Sequence, residues 1–158
     1  MNKYAKGLFY ALLLLFVTVA LHEVGHLVVA RRLISPETEI HLFPSFPFGA
    51  VLGQVSGPQT VEYPVWKGTL VAVAGPVLSS ILMVTIWVNL KKNSLLAVVA
   101  SFFAIHQISY TFIEPLLFLE KIPHWTLRIP LIAGGTCVLA YAFYIRSSNG
   151  ESKKGLGG

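Results

Sequence analysis

Acidic residues and cysteine are scarce in this sequence. Only 12% of its 158 residues are charged, none is aspartate, and Cys137 is the only cysteine. A single cysteine excludes an internal disulfide and a cysteine-rich zinc site. Low charge combined with 54% hydrophobic residues is far from the composition of soluble proteins. We therefore expect one integral membrane domain.

Clusters of basic residues are also missing. The 12 Lys and Arg residues stand singly or in pairs at the ends of apolar segments, which is typical of membrane borders. The sequence thus predicts a lipid bilayer as its surroundings and no nucleic-acid partner. No small-residue cleavage site follows the first apolar run, so we predict a retained span and not a signal peptide. With the small size, this favours a prokaryotic cytoplasmic membrane.

Four apolar segments predict four transmembrane helices. The first three are long enough to cross roughly 30 Å of hydrocarbon at about 1.5 Å per residue, and the fourth is shorter. The predicted fold is an all-α membrane protein with spans at Leu8–Ala30, Thr69–Leu90, Ser94–Ile113 and Ile129–Ile145. We expect one domain over residues 1–146 and a disordered polar tail over 147–158.

The segment between the first two spans, Leu33–Lys67, contains five prolines and is not expected to be helical. Its subsegment FGAVLGQVSG is apolar and β-prone between glycines, which predicts a short membrane-associated β-hairpin or loop. Irregular backbone near a membrane persists where protein or water satisfies its polar groups. The segment therefore lies against the bundle, lines a cavity, or forms an ordinary interfacial loop.

Three ionisable residues interrupt the first span. His22, Glu23 and His26 form the pattern His-Glu-x-x-His. On a helix, residues four apart differ by about 40° and 6 Å, so both imidazoles can bind one Zn²⁺. Glu23 then lies beside the metal, where a general base takes a proton from activated water. The alternative is a structural cluster of histidines with a paired glutamate, which is costly in lipid.

Two histidines need a third protein ligand to form a catalytic zinc site. In an up-and-down bundle Glu114 lies at the depth of the motif, whereas His106 lies roughly 12 Å away along the helix and Glu120 lies at the interface. We predict Glu114 as the ligand, with His106, Glu120 or a purely structural carboxylate as alternatives. Three polar residues share its face: Gln107, Tyr110 and Thr111. The full candidate set is His41, His106, His124, Glu37, Glu39, Glu62, Glu114 and Glu120.

Two prolines fall inside predicted spans. Pro76, in AGPVLSS, is expected in the first turns of a helix or at a kink, and the small residues around it allow a neighbouring helix to approach closely. Pro115 disfavours regular helix at Glu114 and frees a carbonyl one turn earlier. A broken helix beside the metal would offer backbone groups to an extended substrate.

These motifs resemble the site-2 protease family of intramembrane zinc metalloproteases. HEVGHLVVARR is similar to that family's histidine-bearing helix, FPFGAVLGQV to its glycine-rich hairpin, and VAGPVLSS to the Ala-Gly-Pro opening of its next span. The resemblance covers roughly Leu8 to Ile122. It implies that His22 and His26 are zinc ligands and that Glu23 is the catalytic base.

The sequence departs from the family's pattern at two points. The family has an asparagine three residues after the proline, where this chain has Ser79. The family's third ligand is an aspartate in an Asn-Pro-rich segment, whereas SYTFIEPLLFLEKIP offers Glu114 or Glu120 as the carboxylate. The chain is also too short for the peptide-binding domain that some members carry.

The leading hypothesis is a membrane-embedded zinc endopeptidase that cleaves a peptide bond in or near a transmembrane segment of a substrate protein. The substrate would unwind and pair with the hairpin edge in Phe46–Val55. The expected substrate-binding residues are Phe48, Gly49, Val51 and Gly53. The second hypothesis is a non-proteolytic binding or regulatory protein that retains a metal site, which the missing aspartate favours and Glu23 opposes. A zinc carrier would need polar groups along several spans, and two spans have few.

Overall fold

The computed structural model describes residues 2–42, 53–56, 62–91 and 94–154. Over these ranges the chain forms four long helices, one pair of short strands and one short 3-10 helix. In chain order the elements are α1 (Lys3–Leu33), β1 (Glu39–Leu42), β2 (Gly53–Ser56), α2 (Val65–Asn89), α3 (Leu95–Phe118), the 3-10 helix (His124–Leu127) and α4 (Arg128–Lys154).

All four helices are long and apolar enough to cross a membrane, which confirms the predicted four-helix membrane fold. The candidate spans are Ala5–Leu33, Val65–Asn89, Leu95–Phe118 and His124–Phe143. Side chains cap two of the helices: Asn2 accepts a hydrogen bond from the Ala5 amide at 2.8 Å, and Ser94 accepts one from the Ala97 amide at 3.1 Å. Pro64 directly precedes α2, where its missing amide hydrogen is not needed for helical hydrogen bonds.

The helices are apolar outside and polar inside. Large hydrophobic side chains such as Phe9, Phe112 and Phe143 are exposed, whereas the buried polar residues lie between the helices. In water this arrangement would expose a large apolar surface, whereas in a bilayer the acyl chains cover it. The buried polar and charged residues of the bundle are Thr18, His22, Glu23, His26, Ser79, Ser80, Ser101 and Gln107.

Helix α2 packs against both α1 and α3, and α4 packs against α3. Within the described residues α4 contacts only α3 and the 3-10 helix. A hydrophobic cluster joins α1, α2 and α3 at one end: Leu14, Met83, Ala100, Phe103 and Ala104. Residue numbers increase from this cluster toward His26 along α1, and they also increase from it toward Glu114 along α3. These two helices therefore run parallel.

Both internal prolines lie within continuous helices. Helix α2 runs through the buried Pro76, and α3 runs through Pro115 to Phe118. The prediction that Pro115 breaks the helix at Glu114 was therefore wrong. A proline removes only one intrahelical hydrogen bond, and leaving the helix inside a membrane would leave several backbone groups without partners.

The strands pair antiparallel, with Glu39 opposite Ser56 and Leu42 opposite Gly53. The predicted hairpin region Phe46–Val55 thus contains most of β2, whereas β1 lies entirely before this region. Gly53, an expected substrate-binding residue, is the first residue of β2. The other three, Phe48, Gly49 and Val51, lie outside the described residues.

The end of the chain differs from the predicted disordered tail. Helix α4 continues to Lys154, so residues 147–154 are helical, and residues 155–158 lie outside the described part. Extending an existing helix costs far less than starting one.

Candidate metal centre

The two histidines of the motif lie on one buried face of α1. The four-residue spacing brings their ring centroids to 4.6 Å and their Nε2 atoms to 2.9 Å. His22 and His26 are both buried between the helices, not turned toward lipid. The helical prediction for the motif therefore gives the expected convergence of the two rings.

Glu114 of α3 meets both histidines. Its Oε2 lies 3.1 Å from His22 Nε2, and its Oε1 lies 3.1 Å from His26 Nε2. Within the described ranges, these three residues form the only group of histidine, cysteine or acidic side chains that could hold a metal ion, with ligand atoms within 4.8 Å of one another. Matching depths along two parallel helices thus identified the carboxylate that the structure places beside the histidines.

The other two candidates for the third ligand lie elsewhere. The His106 ring stacks on Tyr110, with centroids 5.8 Å apart, and on Phe102 at 5.9 Å. Glu120 is exposed at the end of α3, where its φ of 53° places it in the left-handed region as the helix terminates. Neither side chain belongs to the group formed by His22, His26 and Glu114.

In each histidine the hydrogen bond at the outer nitrogen, Nδ1, determines whether the inner nitrogen, Nε2, carries a proton or a lone pair. His26 Nδ1 lies 2.6 Å from the backbone carbonyl oxygen of Val71, which can only accept, so Nδ1 carries the proton. His22 Nδ1 lies 3.2 Å from the side-chain oxygen of Gln107 in the same arrangement. In a neutral imidazole the second nitrogen is then an acceptor, so each Nε2 turns a lone pair toward the other and toward Glu114.

Three acceptor groups converging on one point repel one another unless a cation lies between them. The 2.9 Å between the two Nε2 atoms is close to the edge of a tetrahedron, about 3.3 Å, for metal bonds of about 2.0–2.1 Å, and each Nε2 has one Glu114 oxygen at 3.1 Å. The donor set of two imidazoles and one carboxylate therefore fits a divalent metal ion. A proton shared between the carboxylate and the imidazoles is the competing way to relieve the repulsion.

Close approach of α1 and α2 at this point depends on two glycines. A Cβ added at Gly25 would lie 2.6 Å from the carbonyl oxygen of Ala74 and 2.8 Å from the Cα of Gly75. A Cβ added at Gly75 would lie 2.6 Å from the carbonyl oxygen of His22 and would overlap the ring of His26. The predicted role of small residues near Pro76 in helix contact is thus located directly against the histidines.

Glu23 is buried beside the group without belonging to it. It is 7% exposed and lies near enough to interact electrostatically with His22, His26 and Glu114. The group that could hold a metal excludes Glu23. Glu23 is therefore a buried carboxylate near this group that is not one of its possible ligands.

The sequence placed Gln107 on the face of Glu114 and Ser79 among the small residues of a helix contact, but it did not predict their hydrogen bonds at this site. Gln107 Oε1 accepts from Ser79 Oγ at 2.8 Å and faces His22 Nδ1. The available signals were the seven-residue spacing of Gln107 from Glu114 and the position of Ser79 three residues after Pro76. Neither spacing alone indicates a hydrogen bond across three helices.

Comparison of this chain with protein-family models, with curated proteins and with solved structures finds no match in any of the three.

Proposed function

We propose that this chain is an intramembrane zinc endopeptidase that hydrolyses peptide bonds in or near transmembrane segments of other proteins. The observation that carries the proposal is the convergence of His22 Nε2, His26 Nε2 and the Glu114 carboxylate, with Glu23 buried beside them. Two histidines and one glutamate are a donor set of catalytic zinc sites, which keep one position open. The resemblance of HEVGHLVVARR, which contains the same two histidines and Glu23, to the site-2 protease family suggests the same function.

The chain's own residues supply the proton chemistry. A bound Zn²⁺ would polarise the scissile carbonyl and activate water. Glu23 takes the proton from the attacking water and delivers it to the leaving amine, so that one carboxylate acts first as base and then as acid. Nδ1 of His26, held by the Val71 carbonyl, stays protonated throughout and does not take part in moving the proton.

The substrate must present an extended backbone. A transmembrane helix hides its peptide bonds in its own hydrogen bonds, so a cleavable segment has to unwind before it reaches the site. Among the described residues each of the two strands has one edge without a strand partner, and β1 and β2 both contact α1. Pairing along such an edge would compensate the hydrogen bonds that the substrate gives up.

Replacing the proposed base tests the proposal. The wild type, Glu23→Gln and the control Glu62→Gln, an exposed carboxylate, are each reconstituted with a mixture of synthetic single-span peptides. Mass spectrometry then records new peptide termini, and elemental analysis records zinc per chain. We expect new termini with the wild type and with Glu62→Gln, and none with Glu23→Gln, although all three bind zinc. Cleavage by Glu23→Gln at the wild-type rate would refute the assigned base.

The second candidate function is a non-proteolytic membrane protein that uses the same metal group to bind partners. The replacement of the family's aspartate by Glu114 and of its asparagine by Ser79 favours this function. In this case the wild type binds metal, and a double substitution of His22 and His26 by alanine does not. No preparation then produces new termini. Zinc binding and proteolysis together distinguish the two candidates.

A further inference from the structure

Gln107 lies where α1, α2 and α3 meet, and it is 6% exposed. Its Oε1 lies 2.8 Å from Ser79 Oγ of α2 and 3.2 Å from His22 Nδ1 of α1. Inside a membrane no bulk water competes for these groups, so each amide atom has to find its partner within the bundle. This side chain is therefore in direct contact with the outer nitrogen of one proposed metal ligand.

The two ends of the Gln107 amide would have opposite effects on His22. With Oε1 toward the ring, Nδ1 donates and Nε2 keeps a free lone pair for a metal. With Nε2 of the amide toward the ring, Nδ1 would accept, and the imidazole proton would move to His22 Nε2. That proton would point into the group formed with His26 and Glu114 and would exclude a metal bond.

Two neighbours favour the first orientation. The Ser79 hydroxyl donates to the oxygen end, and its distance of 2.8 Å is shorter than its 3.0 and 3.2 Å distances to backbone carbonyls of its own helix. At the other end, His106 Nδ1 lies 3.5 Å from Gln107 Nε2, where it can accept an amide hydrogen. When the His106 proton is on Nε2, an amide turned by 180° would place its oxygen against the lone pair of His106 Nδ1.

The second histidine has no comparable dependence on a side chain. The backbone carbonyl of Val71 holds His26 in its tautomer, and no substitution removes that carbonyl. His22 is thus the ligand whose tautomer depends on replaceable residues. Outer hydrogen bonds of this kind orient metal-binding histidines, and their loss typically lowers metal affinity about 10–100-fold.

We propose that Gln107 is a positioning residue that holds His22 in the Nδ1–H tautomer, with Ser79 and His106 fixing the direction of its amide. This role rests on the metal site of the proposed function, but it concerns the imidazole itself and is present before any metal binds. Gln107 touches no substrate in this role and acts through His22.

The tautomer is measured first in metal-free protein. Nitrogen-15 NMR of histidine-labelled wild type in detergent micelles, with His22→Asn to assign the signals, distinguishes Nδ1–H from Nε2–H. We expect Nδ1–H for His22 in the wild type. An Nε2–H tautomer of His22 in the wild type would overturn the proposal whether or not the chain is a protease. A wild type that has the Nδ1–H tautomer but cleaves no peptide would count against the proposed function alone.

Variants then separate positioning from packing. Gln107→Met keeps the length of the side chain without a strong acceptor, whereas Gln107→Glu keeps an acceptor for Nδ1–H. We expect Gln107→Met to shift His22 toward Nε2–H and to weaken zinc binding about 10–100-fold, and Gln107→Glu to retain the wild-type tautomer and zinc binding within a few-fold. Equal losses of zinc affinity in the two variants would show that Gln107 only fills space.

Ser79 offers a matched pair of variants in case Gln107→Met fails to fold. Ser79→Ala removes the donor to Gln107, and Ser80→Ala removes the neighbouring hydroxyl, which lies 3.4 Å from Thr111 Oγ1 instead. We expect a few-fold weaker zinc binding for Ser79→Ala and wild-type binding for Ser80→Ala. Indistinguishable zinc affinities in this pair would remove Ser79 from the proposal.

Discussion

Adding one methyl group at Gly25 tests whether the α1–α2 contact sets the geometry of the metal group. In Gly25→Ala the new Cβ would lie 2.6 Å from the Ala74 carbonyl oxygen and 2.8 Å from the Gly75 Cα, whereas ordinary contact begins at 3.4 Å. Both obstacles are backbone atoms of α2 and cannot turn aside as a flexible side chain could. The two helices must therefore separate by about 0.8 Å at this level, the difference between 3.4 and 2.6 Å.

The size of the effect follows from two opposing contributions. Overpacking a tight contact typically costs about 1–3 kcal/mol. Alanine regains up to about 1 kcal/mol of helix propensity over glycine. We expect a net loss of up to about 2 kcal/mol in the free energy of unfolding. Separation of α1 from α2 also stretches the 2.6 Å contact between His26 and the Val71 carbonyl, so zinc affinity should fall about tenfold.

Gly135→Ala provides the matched control, because a Cβ added at Gly135 meets no atom within 4 Å. Unfolding by sodium dodecyl sulfate in mixed micelles, followed by tryptophan fluorescence, measures stability, and calorimetric titration measures zinc affinity. The control should equal or slightly exceed the wild type in stability and bind zinc equally well. If Gly25→Ala behaves like Gly135→Ala in both measurements, the close α1–α2 contact does not determine the site.

Two further substitutions test individual buried groups. Glu114→Gln removes a ligand charge, so it should lower zinc affinity by more than the about 10–100-fold that is typical of residues hydrogen-bonded to the ligands. Glu120→Gln should bind zinc as the wild type does. Equal affinities of the two variants would exclude Glu114 as a ligand. Thr18 is buried, and among the described residues its Oγ1 has no hydrogen-bond partner. Thr18→Val should therefore leave stability unchanged or raise it by about 1 kcal/mol. Ser101→Ala, which loses a hydrogen bond to Val98, should lower stability by a similar amount. A marked loss of stability in Thr18→Val, measured by the same detergent titration, would show that its hydroxyl has a partner.

The sequence was sufficient to predict features that depend on regular repeats. Span positions follow from hydrophobic length, the paired imidazoles follow from the helical period, and the depth of Glu114 follows from a fixed rise per residue. These quantities change little with tertiary packing. Counting residues along two parallel helices therefore predicted that Glu114 lies beside His22 and His26.

Features that depend on the lipid surroundings or on how separate elements pack together were harder to predict. The expected break at Pro115 applied a rule from water-exposed helices, where a freed carbonyl can bind solvent; in a bilayer the helix continues. Strand β1 has the alternating pattern Glu-Ile-His-Leu, but it is only four residues long and lies before the glycine-rich segment that attracted the prediction. The contact from Gln107 to His22 depends on how three helices meet, which no spacing within one helix specifies.

The hydrophobic cluster that contains Leu14, Met83 and Phe103 lies toward the opposite end of the bundle from Glu114. Cohesion of the three inner helices therefore has its own source and does not depend on metal coordination. We expect the apoprotein to insert and assemble before it acquires an ion, unlike small zinc domains that need the ion in order to fold. Removal of zinc by a chelator should accordingly be reversible, and zinc binding should return when zinc is added back without a refolding step.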